Sequence, residues 1–451
     1  MTEIQPALTR TKYPFRYWIV VACAISMPNF IKFDTTGLTH SNGLFNITSL
    51  GQIAITLTTA FMLGIITLLT RRPLLLRRVT VAAGLWIPLL IVLVIASFLQ
   101  PEGRSAHAKP TDLLLSLYRL GEWTLAFILF LSLYTRERRE NGADLIIRLI
   151  GTLCWVKIIL VWIMLPIYPS LVYGVSEDTA ESHRRLGASM VHPVHLSVLA
   201  GVAFFHAFFF MRGPRKAVAC FVALATLFLT YARSEELVFL IVLMVYVFAI
   251  TRNPLHRWVG VAGIFYIGVG AVVFQDKILG YLARGQGVRN ITTLSERTLV
   301  WQASFRAFWL RPYIGYGYIA GAKSALRDQW VYTNWIPPHC HSEFIQALVS
   351  GGILAGMLIA CLYVRVLWAA VRNARQGIKH IFLLITVIQL VIMALIMPLV
   401  TVQFGETGCL FLLCFIGAVA AKKEVPHAKS APVLSVGPVP RFQWAEEITS
   451  G

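Results

Sequence analysis

Apolar residues recur along the chain in runs of about 20, each long enough to cross roughly 30 Å of hydrocarbon as a helix. Short polar stretches separate them. The pattern predicts twelve membrane-spanning helices, at about 14–33, 51–70, 79–99, 112–134, 145–168, 191–211, 217–232, 237–251, 258–275, 343–370, 381–401 and 408–421. The first run carries Pro28 and is not followed by a small-residue cleavage site, so it reads as a retained helix. Alternate short loops are basic: Arg71, Arg72, Arg77 and Arg78, then Arg136, Arg138 and Arg139, then Arg212, Arg215 and Lys216. Arg252 and Arg257, then Arg372, Arg375 and Lys379, and finally Lys422 and Lys423 continue the series. Basic residues near span ends stay in the cytoplasm, which assigns these loops and both termini to that side.

The opposite loops then face outward, and one of them is long, 276–342. The expected organisation is 1–275 as nine spans with short loops, 276–342 as a large periplasmic loop, 343–421 as three more spans, and 422–451 as a cytoplasmic tail. That tail has four prolines (Pro426, Pro432, Pro438, Pro440) and little apolar periodicity, so it is expected to be disordered.

Composition agrees. Apolar residues make up 57% and charged residues 14%, against roughly 25% charged in soluble domains. An all-α polytopic membrane protein follows. The net charge of +19 would suggest nucleic acid in a soluble chain, but here topology accounts for most of it and no basic domain holds the rest. No nucleic-acid partner is expected. Six of the seven cysteines (Cys23, Cys154, Cys220, Cys361, Cys409 and Cys414) lie in apolar runs and read as small buried hydrophobes. Cys340 sits between His339 and His341. Adjacent residues rarely point at one ion and there is no second ligand cluster, so neither a metal nor another cofactor is expected.

Charges inside spans cost at least about 2.5–3.5 kcal/mol near the bilayer centre, so each needs a partner. Arg119 and Glu122, three apart on one helical face, are expected to pair. Lys157 has no local acid and should face the bundle interior. His192, His195 and His206 read as hydrogen-bonded core histidines, the first two close to the outer end of their span.

The long loop breaks the charge bias, with Lys277, Arg284, Arg289, Arg297, Arg306, Arg311, Lys323 and Arg327 against Asp276, Glu296 and Asp328. One reading is a solvated basic loop beside anionic headgroups. The sharper one is a site for a polyanionic ligand such as a diphosphate. Aromatics at helical spacing over 295–310 predict an amphipathic helix along the membrane surface. A Pro312-x-x-Gly315-x-Gly317 turn follows it, and Pro337-Pro338 force extended backbone before His339 and His341. Ser342 and Glu343 stand where a helix N-terminus favours them. His341 can serve as a general base, because an unperturbed imidazole is largely neutral at working pH. Arg233, in the short Thr230-Tyr-Ala-Arg corner, either pairs with Glu235 or Glu236 or binds an anion, and its fork of donors suits phosphate oxygens.

These residues, in this order, resemble the signature region of the O-antigen ligase and O-antigen polymerase superfamily: Arg297 before Trp301, the Pro312-x-x-Gly315-x-Gly317 turn, then His341-Ser342 ahead of an apolar helix with Gly351-Gly352 and Gly356. The Thr230-x-x-Arg233 corner is similar to that family's short arginine motif. The resemblance implies a metal-independent, inverting glycosyltransferase of the GT-C type in the bacterial inner membrane, with its site on the periplasmic side. Its donor would be an undecaprenyl-diphosphate-linked glycan, and its acceptor a lipid A–core saccharide in a ligase or a growing glycan in a polymerase. His341 matches the catalytic histidine, and Arg233 and Arg297 match the donor-binding arginines. Arg289, Arg311 and His339 complete the candidate substrate-binding set. The chain departs from the family at Ser342, where asparagine is common, and at Glu235-Glu236, acids that compete for the charge of Arg233.

With one dominant outer loop, the chain fits a ligase better than a polymerase. A protein-directed oligosaccharyltransferase of the same superfamily would bring extra soluble regions. A transporter or flippase of an anionic lipid-linked saccharide would predict inverted repeats and paired broken helices at mid-membrane.

Overall fold

The computed structural model describes residues 84–99, 111–137, 142–175, 184–187, 190–251, 254–273, 297–332, 337–402 and 405–419. The expected spans at 14–33 and 51–70, the tail from 422, and Arg289 lie outside these residues.

The described chain is predominantly helical. Helices α1 (Trp86–Phe98), α2 (Thr111–Glu137) and α3 (Gly142–Ile167) lead to the single turn α4 (Pro169–Val172) and a short antiparallel hairpin, β1 (Tyr173–Val175) with β2 (Arg184–Leu186). Next come α5 (Pro193–Phe210), α6 (Gly213–Leu229) and α7 (Arg233–Val245), the last running into a π turn at Tyr246–Ile250, and then α8 (Pro254–Val273). The signature region holds α9 (Arg297–Leu310) and α10 (Ala320–Asp328), and α11 (Glu343–Asn373), α12 (Ile378–Ile396) and α13 (Glu406–Val419) close the bundle. Among the described residues four helices are long and apolar enough to cross a membrane: Ala143–Ile167, Pro193–Phe210, Glu343–Gln376 and Ile378–Ile396. This is a helical membrane protein.

The hairpin is a small addition to an otherwise helical chain that the sequence reading did not foresee. Its paired residues, Tyr173 with Leu186, Gly174 with Arg185 and Val175 with Arg184, carry no alternating pattern that would announce a strand. The eleventh expected span ends early. Pro398 disfavours helical backbone at the residue before it, and Met397 is extended, at φ −153° and ψ 136°. The chain therefore leaves α12 at Ile396 and continues through residue 402 as irregular backbone.

Packing is organised around α11, which contacts α1, α9, α12 and α13, and around α13, whose first thirteen residues are all buried. A helix apolar on every side belongs inside the bundle. Trp86 anchors one layer, stacked 5.8 Å from Trp123 and edge-on to Phe411 and Phe415. With lipid as apolar as leucine, such close packing is the main force holding helices together.

The two glycine motifs of the signature region interlock. Gly351 and Gly352 take non-helical backbone and kink α11, which frees the carbonyls of the preceding turn. Tyr316 N–H donates to Val349 O at 2.9 Å, Gly317 N–H to Ser350 O at 2.8 Å, and Ile353 N–H to Pro312 O at 2.7 Å. The fit leaves no room for side chains: a Cβ on Gly315 would stand 2.7 Å from Gly351 N, and one on Gly352 would stand 2.3 Å from the Tyr313 carbonyl.

Helix α9 forms over nearly the expected residues, but its aromatics are not gathered on one face. Phe308 is buried with Val300, Ala303 and Ala307 against α10 and α11, whereas Phe305, Trp309 and Leu310 are exposed. One side packs on protein, and the other offers apolar surface outward.

Candidate active site

Three chain segments meet around His341. The first is the start of α11. His341 is one of three described non-glycine residues with positive φ, at +49°, a left-handed backbone that costs an L residue about 1–2 kcal/mol. Its N–H donates to Nδ1 of His339 at 3.2 Å, and the two rings lie 4.3 Å apart in a T-shaped arrangement. Because that Nδ1 accepts, neutral His339 carries its proton on Nε2. Cys340, between them, is fully buried; its N–H donates to Gln346 Oε1 at 2.9 Å, and burial pushes its thiol up to about 12. At neutral pH the thiol stays protonated.

The second segment is the start of α9, where Arg297 stands half-buried, within electrostatic reach of His341 and of Glu235. Burial lowers its proton affinity and the Glu235 carboxylate opposes that shift. Glu235 itself is buried at the start of α7, where Ser234 Oγ donates to its Oε2 at 2.9 Å. Arg233 opens the same helix, after a left-handed Tyr231 at φ +48°. From β2, Arg185 donates through Nε to Thr230 O at 2.9 Å, placing a cation on the C-terminal end of α6.

The third segment is the start of α5. His192 is its N-cap residue, and its Nδ1 accepts from Val194 N–H at 3.3 Å. Its ring packs 5.5 Å from that of His195. His195 Nδ1 lies 3.4 Å from Glu406 Oε2, and Lys157 Nζ donates to Glu406 Oε1 at 3.2 Å.

The electrostatics of this assembly act in one direction on His341. Burial, then His339, Arg297 and His192 in turn, hold its imidazole well below the usual histidine range. A protonated ring there would add charge to an already positive neighbourhood. At neutral pH this favours the unprotonated imidazole of His341, able to accept a proton within electrostatic reach of the Arg297 guanidinium.

His339, His341 and Arg297 thus come together, with Arg233 on the helix whose Glu235 answers Arg297. Arg311 stands at the far end of α9, about 20 Å of helix rise from Arg297. Its Nη1 donates to Gly315 O at 3.4 Å and its guanidinium lies 5.2 Å over the Tyr316 ring.

Sequence reasoning missed two participants. Glu235 was visible only as an acid near Arg233. Glu343 was expected to serve its own helix. Instead its carboxylate, fully buried, accepts backbone N–H bonds from Leu399, from Val400 at 2.9 Å and from Thr401 at 2.9 Å. Ser342 takes the N-cap position with extended backbone but makes no capping bond through its side chain.

No curated protein matches this chain. Residues 218–360, which run from within α6 to within α11 and include Arg233, Arg297 and His341, match the family model described as O-antigen ligase.

Proposed function

We infer that the protein is an O-antigen ligase, moving a glycan from undecaprenyl diphosphate to a lipid A–core saccharide at the periplasmic face of the inner membrane. What carries this reading is the placement of His341, in a left-handed turn at the mouth of α11 and within electrostatic reach of Arg297, where burial and neighbouring charge favour its unprotonated ring. The acceptor hydroxyl oxygen bonds to the donor's anomeric carbon from the face opposite the diphosphate. Its proton passes to a ring nitrogen of His341. The bond from the anomeric carbon to the diphosphate oxygen breaks with its electron pair on oxygen, the sugar centre inverts, and undecaprenyl diphosphate leaves. Arg297 and Arg233 bind the diphosphate and offset the charge that grows on it, the role fixed cations serve best in a water-poor site. Twelve spans, cytoplasmic termini and a periplasmic 276–342 loop complete the proposal and agree with the basic loops on the cytoplasmic side.

The test is complementation of a host lacking its own ligase, read by lipopolysaccharide gel at matched expression. Wild type is expected to restore long glycan on lipid A–core. His341→Ala, Arg297→Ala and Arg233→Ala abolish it, and Cys361→Ala, an exposed position on α11, does not. Chain extension in a polymerase-deficient host, with nothing restored in the ligase-deficient one, assigns the same site to polymerisation. Full activity of His341→Ala in either host refutes the proposed chemistry.

A further inference from the structure

His341 is held in a backbone conformation that such a residue rarely adopts unless its surroundings impose it. On its N-terminal side, Gln346 Oε1 holds Cys340 N–H at 2.9 Å and His339 Nδ1 holds His341 N–H at 3.2 Å. On its C-terminal side the constraint comes through Glu343, two residues on. That carboxylate binds three consecutive backbone N–H groups, Leu399 to Thr401, and Thr401 Oγ1 lies 3.5 Å from the Glu343 carbonyl.

The segment it grips is itself fixed. Tyr318 O–H, at the end of the signature turn, reaches Val400 O at 3.0 Å and Val402 O at 2.6 Å, and Trp123 Nε1–H donates to Val402 O at 3.1 Å. A few residues later Glu406 is bound to Lys157 and faces His195, whose ring neighbours His192. The α12–α13 connector thus joins the start of α11 to α2 and the signature turn, and Glu406, which opens α13 directly after it, ties in α3 and α5. Among the described residues this carboxylate caps no helix and makes no ion pair; its three amide bonds tie the turn that carries His341 to residues 399–401.

We propose that Glu343 is a positioning residue, which clamps the α12–α13 connector with its carboxylate and so sets the left-handed turn that aims the His341 imidazole. This rests on the reading of His341 as the base. Misplacing a reacting group by about 1 Å can lower a rate about a hundredfold, so the effect belongs in kcat. Glutamine keeps the volume of Glu343 but replaces one acceptor oxygen by a donor, which faces amides that also donate. Aspartate keeps both acceptors on a shorter stem.

The experiment compares wild type, Glu343→Gln and Glu343→Asp, purified in detergent and confirmed as folded by thermal melting. Two readouts are taken: steady-state glycan transfer, and the rate at which diethyl pyrocarbonate modifies His341, followed by peptide mass spectrometry with His256 as internal reference. Glu343→Gln is expected to lose about ten- to a hundredfold in kcat with KM within about twofold, and to change the His341 modification rate at least threefold. Glu343→Asp recovers most of both. Unchanged His341 reactivity in Glu343→Gln overturns the positioning role whatever the activity does. A kcat loss that follows melting temperature and is not recovered by aspartate overturns it as well. If wild type transfers no glycan while Glu343→Gln still alters His341 reactivity, the clamp stands and the transferase reading fails.

Discussion

Lys157 and Glu406, 249 residues apart in the chain, meet at 3.2 Å in the interior of the helix bundle. The lysine side chain has no exposure and the carboxylate almost none. Taking both charges out of water is costly, and their mutual attraction together with the His195 contact offsets that cost. Removing one partner takes away the other's opposite charge at 3.2 Å. Lys157→Met is therefore expected to destabilise strongly, by about 3–5 kcal/mol for a buried pair, and Glu406→Gln to do likewise. The double variant, which removes both charges, should melt well above either single one. Melting temperatures in one detergent, arranged as a double-mutant cycle, check this. Additive losses would mean the two charges do not compensate each other.

The interlocked glycines make a sharper steric prediction. Gly352 combines φ +69° with a Cβ position 2.3 Å from the Tyr313 carbonyl, and neither backbone can yield without breaking the bonds from Tyr316, Gly317 and Ile353. Gly352→Ala meets both penalties: about 1–2 kcal/mol for the left-handed backbone and a clash with main chain. Gly213→Ala meets only the first, since φ is +61° and nothing lies within 4 Å; Gly263→Ala meets neither. Folded yield by fluorescence-detected size exclusion should fall in the order Gly263→Ala, Gly213→Ala, Gly352→Ala, with the last largely lost.

Much of this was legible in the residues, and the limits follow from what spacing can encode. Arg119 and Glu122 pair at 2.8 Å as their i,i+3 spacing implied. For Lys157 the cost of a charge in an apolar run implied a buried partner, but not which acid across the chain would supply it. Helix existence followed from apolar runs, yet the end of α12 was set by the local stereochemistry of Pro398 rather than by hydropathy. The signature motifs nominated His341 and Arg297 in order, and the fold brings them within electrostatic reach. That Gly351-Gly352 receives the Pro312-x-x-Gly315-x-Gly317 turn, or that Glu343 serves residues 399–401, is a matter of three-dimensional docking. Spacing along one chain does not encode that.

The charges around His341 make its titration a direct probe of the site. As a base it works unprotonated, so activity falls as pH drops through its pKa. Because burial, His339, Arg297 and His192 all lower that pKa, the acid limb of kcat/KM should lie below the ordinary histidine value of about 6.5. Removing a positive neighbour reverses part of the shift. Arg297→Gln should move the His341 titration upward, toward the ordinary value, even where transfer itself is lost. Diethyl pyrocarbonate reacts only with the unprotonated ring, so its rate at His341 against pH reads this without turnover. A bound diphosphate acts in the same sense, since its negative charge offsets Arg297 and favours the imidazolium. Inorganic pyrophosphate should therefore raise the His341 midpoint in wild type and leave it nearly unmoved in Arg297→Gln. A wild-type midpoint at or above 6.5, or one indifferent to Arg297, would mean the guanidinium and the imidazole do not share a field, and the assignment of the pair to one site would fall.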